Sequence, residues 1–155
     1  MTAEPAAAGT TTPHPLVERL FTTHGYTNVD ATGLDAFAAA PGPAVLFFSE
    51  DPVLYRETLD LCVILPEIAS AFAGRLRIGV LLPAAARAVA PRYGFRRWPA
   101  LVVLRDGGYV GAIDGLRSWD EYVDEMTRLA QAPVTRPPTI GIAVTTPGAA
   151  GPACH

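Results

Sequence analysis

Residues Ala44 to Ser49 (AVLFFS) form an almost unbroken apolar run, bounded before by Pro41-Gly42-Pro43 and after by Ser49-Glu50-Asp51-Pro52. A run this short, rich in β-prone residues and closed by turn formers at both ends, fits a strand buried on both faces. Such a strand belongs in the middle of a sheet that helices cover above and below. With 155 residues, 50% of them hydrophobic and 17% charged, the chain has apolar material for one domain of that kind.

The flanking segments supply the helices and the remaining strands. His14 to His24 reads as a helix with Leu16, Val17, Leu20 and Phe21 inward, Tyr26 to Val29 as a short strand, and Leu34 to Ala40 as a helix stopped by Pro41 and Gly42. After the central strand a long helix is expected, in which Leu54, Leu61, Leu65, Ile68 and Phe72 share one face while Arg56, Glu57, Asp60 and Glu67 stay wet. Pro66 inside it removes a backbone donor and should bend it. Arg75 to Leu82 is the next strand and Ala84 to Tyr93 an Ala-rich helix. Ala100 to Leu104 and Tyr109 to Ile113 make a hairpin around Arg105-Asp106-Gly107-Gly108, whose glycines can take positive φ. Ser118 caps a last helix running to about Ala130, with Trp119, Tyr122, Val123, Met126 and Leu129 apolar and Asp120, Glu121, Asp124 and Glu125 acidic. The order β-α-β-α-β then β-β-α gives an α/β fold: a mixed central sheet, parallel at first and antiparallel at the hairpin, with helices on both faces.

Residues 1–13 and 133–155 are poor in charge and rich in Ala, Thr, Pro or Gly, and both are expected to be disordered around a domain at 14–132. Within the second, Thr139 to Thr146 (TIGIAVTT) is β-prone and could add to an exposed sheet edge. The sequence shows neither a signal peptide nor an apolar stretch of the ~20 residues that a spanning helix needs. A protein of the cytoplasm, not inserted in a membrane, is expected.

All 12 basic residues are Arg. Without lysine there is no Schiff-base chemistry and no phosphate loop of the kind that needs one. A net charge of −3 argues against a nucleic-acid partner, and two cysteines, Cys62 and Cys154, suggest no metal cluster. No cofactor and no metal are expected. His14 and His24 lack the companions of a hydrolase triad. Cys62, in the apolar half of the long helix, reads as a small core residue.

The segment Arg92-Tyr93-Gly94-Phe95-Arg96-Arg97-Trp98-Pro99-Ala100-Leu101 resembles the thioredoxin fold, in which a short helix ends in Tyr or Phe followed by Gly and a cis proline opens the hairpin strand. The resemblance implies a cis bond between Trp98 and Pro99. It also exposes a departure. The two thiols that thioredoxin chemistry needs would fall near Tyr55-Arg56-Glu57-Thr58, and no cysteine stands between Ser49 and Leu61.

The stretch from Tyr93 to Trp119, with His14-Pro15-Leu16 and the Ser-Glu-Asp-Pro turn, is similar to the thioredoxin-like accessory proteins of nickel-iron hydrogenase maturation, the HyaE/HupG family. The likeness covers roughly residues 14–132. It implies a chaperone without catalysis, whose partners are the hydrogenase small-subunit precursor and its twin-arginine signal peptide, with other maturation proteins as further partners. Two other readings stand beside it: a thiol-disulfide oxidoreductase relying on Cys62 alone, and a scaffold that dimerises through its sheet edge.

Charge is unevenly placed along the chain. Residues 44–73 hold five acids and one Arg, residues 74–105 seven Arg and no acid, and residues 106–132 six acids and two Arg. Paired carboxylates suit adjacent guanidinium groups through forked hydrogen bonds, so Glu50, Asp51, Glu57 and Asp60 are the expected receivers of an arginine pair. Asp120, Glu121, Asp124 and Glu125 are the second candidate, although acids in both places also serve helices by themselves. Trp98 and Pro99 complete the expected peptide site, Trp98 as an apolar platform and its backbone as a strand-like edge. Arg96 and Arg97 would repel an arginine pair unless they turn away or pair with Glu50 or Asp51.

Overall fold

The computed structural model describes residues 13–138. Its elements are α1 (Pro15–Thr22), β1 (Thr27–Asn28), α2 (Leu34–Ala39), β2 (Pro43–Phe48), α3 (Glu57–Ala71), β3 (Arg77–Leu81), α4 (Pro83–Val89), β4 (Ala100–Arg105), β5 (Gly108–Asp114) and α5 (Trp119–Gln131). The five strands form one sheet in the order β1-β3-β2-β4-β5. β1, β3 and β2 run parallel, whereas β4 pairs antiparallel with β2 and with β5.

β2 occupies the middle, and Ala44 to Phe48 are fully buried, as the apolar run requires. Its side chains alternate between the faces. Val45 and Phe47 join Val17 and Leu20 of α1, Leu61, Leu65 and Ile68 of α3, and Tyr122, Met126 and Leu129 of α5. Ala44, Leu46 and Phe48 join Leu34 of α2, Ala86 and Val89 of α4, and Tyr93 and Phe95 beyond it. Helices therefore cover both faces of a mixed sheet, and the peptide bond between Trp98 and Pro99 is cis. The fold is thioredoxin-like.

Several boundaries differ from expectation. α3 begins at Glu57, later than the stripe through Leu54 implied, and Leu54 is 73% exposed in the turn before it. The cause is Asp51: its carboxylate accepts the Val53 N–H (2.9 Å) and its carbonyl the N–H groups of Leu54 (3.0 Å) and Tyr55 (2.8 Å), closing a separate turn. α3 is continuous through Pro66. In the hairpin the positive φ values belong to Asp106 (51°) and Gly107 (87°), not to both glycines, which is the pattern of a type I′ turn. Ser118 caps α5 as expected, in a reciprocal box with Glu121.

The described chain also runs past the expected boundary at 132. The Thr135 N–H donates to the Tyr109 carbonyl on the β5 edge (2.8 Å), and the Pro138 carbonyl lies against Gly94, whose φ is +70°. The segments 1–12 and 139–155, where disorder is expected, and Thr139 to Thr146, where strand addition is expected, lie outside the described residues.

Candidate peptide-binding groove

Three connections meet at one end of the sheet: the turn between β2 and α3, the segment leading into cis Pro99, and the link from β5 to α5. Tyr55 and Glu57 from the first, Arg96, Arg97 and Trp98 from the second, and Gly115 and Leu116 from the third line a groove of about 520 Å³. Tyr55 and Leu116 are each more than a third exposed, Val53 and Leu54 add exposed apolar surface in the first connection, and Trp119 does so at the start of α5.

Trp98 is half-buried. Its ring stands edge-on to Phe95 (5.0 Å between centroids) and Phe48 (6.4 Å), so it is held from the α4 side of the sheet while one part faces the groove. Pro99 is buried, and its carbonyl accepts the Gly115 N–H (2.8 Å). Among the described residues neither the Trp98 N–H nor its carbonyl has a hydrogen-bond partner. An unpaired peptide unit next to an apolar wall is what an extended chain needs in order to add as a strand.

The expected acidic receivers divide. Glu50 is 6% exposed; its carboxylate accepts the Asp51 N–H (2.7 Å) and pairs with the Arg87 guanidinium of α4. Its charge is therefore already matched within the fold. Asp51 is half-buried and organises the turn described above. Glu57 and Asp60 are exposed in the first turn of α3 and form no ion pair among the described residues. Of the second group, Glu121 serves the cap of α5 and Glu125 pairs with Arg128 (2.8 Å).

Arg96 and Arg97 pair with neither Glu50 nor Asp51. Their main-chain N–H groups both donate to Asp114 Oδ2 (2.8 and 3.1 Å), and Arg97 and Arg117 reach its Oδ1 at 3.8 and 3.5 Å. Burial raises the Asp114 pKa, but these N–H donors and the two guanidinium charges outweigh it and hold the carboxyl below its ordinary range. Sequence spacing gave no sign of this carboxylate, which sets the shape of the segment before Trp98.

Cys62 lies one turn deeper in α3, 4% exposed, and burial pushes its thiol up to about 12. At neutral pH such a sulfur is protonated. Cys154 is outside the described residues. Among the described residues no helix is long and apolar enough to cross a membrane.

Residues 16–122 match the family described as hydrogenase-1 expression protein HyaE. The chain belongs to this family. It is 44% identical over 143 residues to the hydrogenase expression/formation protein HoxO of Cupriavidus necator, a match covering 91% of this chain and 88% of the relative. Its identity to the hydrogenase expression/formation protein HupG of Bradyrhizobium diazoefficiens is 37% over 128 residues, covering 80% and 85%. A crystal structure of a putative hydrogenase expression/formation protein hupG from Rhodopseudomonas palustris is 33% identical, with coverage of 67% and 94% and a TM-score of 0.48. Membership in this family supports a role in hydrogenase maturation.

Proposed function

We propose that the chain is a non-catalytic chaperone of nickel-iron hydrogenase maturation, which binds the small-subunit precursor and its twin-arginine signal peptide in the cytoplasm before export. The observation that carries this reading is the open peptide unit of Trp98 beside cis Pro99, facing Tyr55 and Leu116 where a thioredoxin would present sulfur. An extended apolar stretch of the signal pairs with that unit and rests on Trp98. The arginine pair lies toward Glu57 and Asp60, the two acids of the original four that face outward without a partner among the described residues.

The absence of catalysis in this reading rests on Cys62, the one cysteine of the described domain, whose buried thiol lacks the thiolate that disulfide exchange requires. Other maturation proteins remain partners in the proposal through the exposed apolar surface of Val53, Leu54 and Trp119.

The test is titration of a fluorescent peptide spanning a small-subunit signal into the full-length protein. Binding is expected, with a loss of at least tenfold on Trp98→Ala, since a half-buried aromatic anchor is removed. A weakening that grows at low salt is expected on Glu57→Gln/Asp60→Asn. No binding by the unsubstituted protein, or equal binding by the Trp98 variant, overturns the reading.

A further inference from the structure

The polarity of the groove is the property its apolar lining does not explain. Arg96 and Arg97 are both exposed, with 70% of the Arg97 side chain open to solvent. Asp114 holds them by their main chain, so the backbone of the segment is fixed. One Asp114 oxygen is taken up by those two N–H groups, and the other is shared between Arg97 and Arg117 at 3.8 and 3.5 Å. Arg96 has no carboxylate partner among the described residues, and Glu57, on the α3 wall of the same groove, lies within ion-pair distance of neither arginine. The groove thus keeps positive charge on the wall leading into Trp98 and a negative group on the wall from α3, without mutual cancellation.

We infer that the Arg96–Arg97 wall is an anion-accepting subsite, and that the segment seated on Trp98 carries a carboxylate side chain next to its apolar residues. Planar guanidinium groups bind a carboxylate through forked, charge-assisted hydrogen bonds, and two adjacent ones rooted on a fixed backbone can converge on one such group. An extended chain pairing with the Trp98 peptide unit places its neighbouring side chains beside Arg96 and Arg97. The same wall disfavours a basic residue there, which directs any arginine pair of the client to the Glu57 side. The inference rests on the proposed groove and adds the charge of the residue it selects.

The experiment compares three fluorescent peptides that share one apolar core and differ only in flanking Glu, Gln or Lys, titrated into the full-length protein. The Glu peptide is expected to bind about tenfold more tightly than the Gln peptide, an advantage that shrinks at about 1 M salt. In the Arg96→Gln/Arg97→Gln protein that advantage disappears, and the Glu and Gln peptides bind alike. These substitutions spare the main-chain donors to Asp114, so the fold is retained and circular dichroism verifies it. Equal binding of the Glu and Gln peptides overturns the subsite and leaves the groove standing. An advantage that persists in the double variant also overturns it. Failure of all three peptides to bind removes the groove and the subsite together.

Discussion

The Arg87 guanidinium of α4 meets the Glu50 carboxylate beneath the turn that leads into α3, joining two segments 37 residues apart. The pair is lopsided, with 55% of the Arg87 side chain exposed and 7% of the Glu50 side chain. Removing the arginine leaves a carboxylate in a buried place with only the Asp51 N–H as a donor. Arg87→Ala is therefore expected to cost about 1–2 kcal/mol, discounted for the half that solvent already screens. Glu50→Gln, which keeps an oxygen for Asp51, is expected to cost less. Urea unfolding of the two variants checks the order, and equal losses contradict it.

Gly94 and Gly25 share a φ of +70°, yet their surroundings differ. A Cβ on Gly25 would meet nothing within 4 Å, whereas one on Gly94 would collide with the Pro138 carbonyl. Gly25→Ala should cost only the left-handed backbone penalty of about 1–2 kcal/mol. Gly94→Ala should add about 1–3 kcal/mol of overpacking or else push residues 133–138 off the β5 edge. Hydrogen exchange at the Thr135 amide distinguishes these, because its bond to Tyr109 opens only when the segment leaves.

Local patterns carried much of this fold in the sequence. The apolar run of Ala44 to Phe48 announced a strand buried on both faces, and Ser118 announced the start of α5. Trp98 and Pro99 were found through a motif whose parts lie close together in the chain. What escaped was set by partners far apart. Asp114 with Arg96, and Glu50 with Arg87, obey no helical or strand period, so nothing in their spacing reveals which charges are already matched. The late start of α3 escaped for the opposite reason: a single Asp51 side chain, competing locally for N–H groups, outweighed an apolar stripe that seemed to begin at Leu54.

Arg105 closes the far end of α5. Its guanidinium donates to the carbonyls of Leu129 (2.9 Å), Ala130 (3.2 Å) and Ala132 (2.8 Å), at the end of the helix where carbonyls run short of backbone donors; Leu129 also accepts the Ala132 N–H (3.2 Å). Arg105→Met keeps most of the apolar stem and removes all three bonds. A loss of about 1.5–3 kcal/mol is expected in urea unfolding, with faster amide exchange confined to the last turn of α5. Unchanged stability would show that water replaces the guanidinium without loss.

The Cys62 thiol gives the protein an alkaline signature. Its folded pKa of about 12 lies above the ordinary value near 8.5, so the protonated form is favoured by folding. A raised folded value contributes stability that is complete below the unfolded pKa and is lost as pH rises toward the folded one. Between about pH 8.5 and 10, before the tyrosines titrate in the unfolded chain, stability should fall by up to about 1.4 kcal/mol per pH unit. Cys62→Ala should be less stable at pH 7 through its lost volume, yet show a flatter profile across that window. Alkylation by iodoacetamide at pH 8 should likewise lag at least a hundredfold behind the unfolded protein. Equal slopes for the two proteins, or rapid alkylation of the native chain, would mean that the sulfur is open to solvent, and with it the single-cysteine oxidoreductase would return.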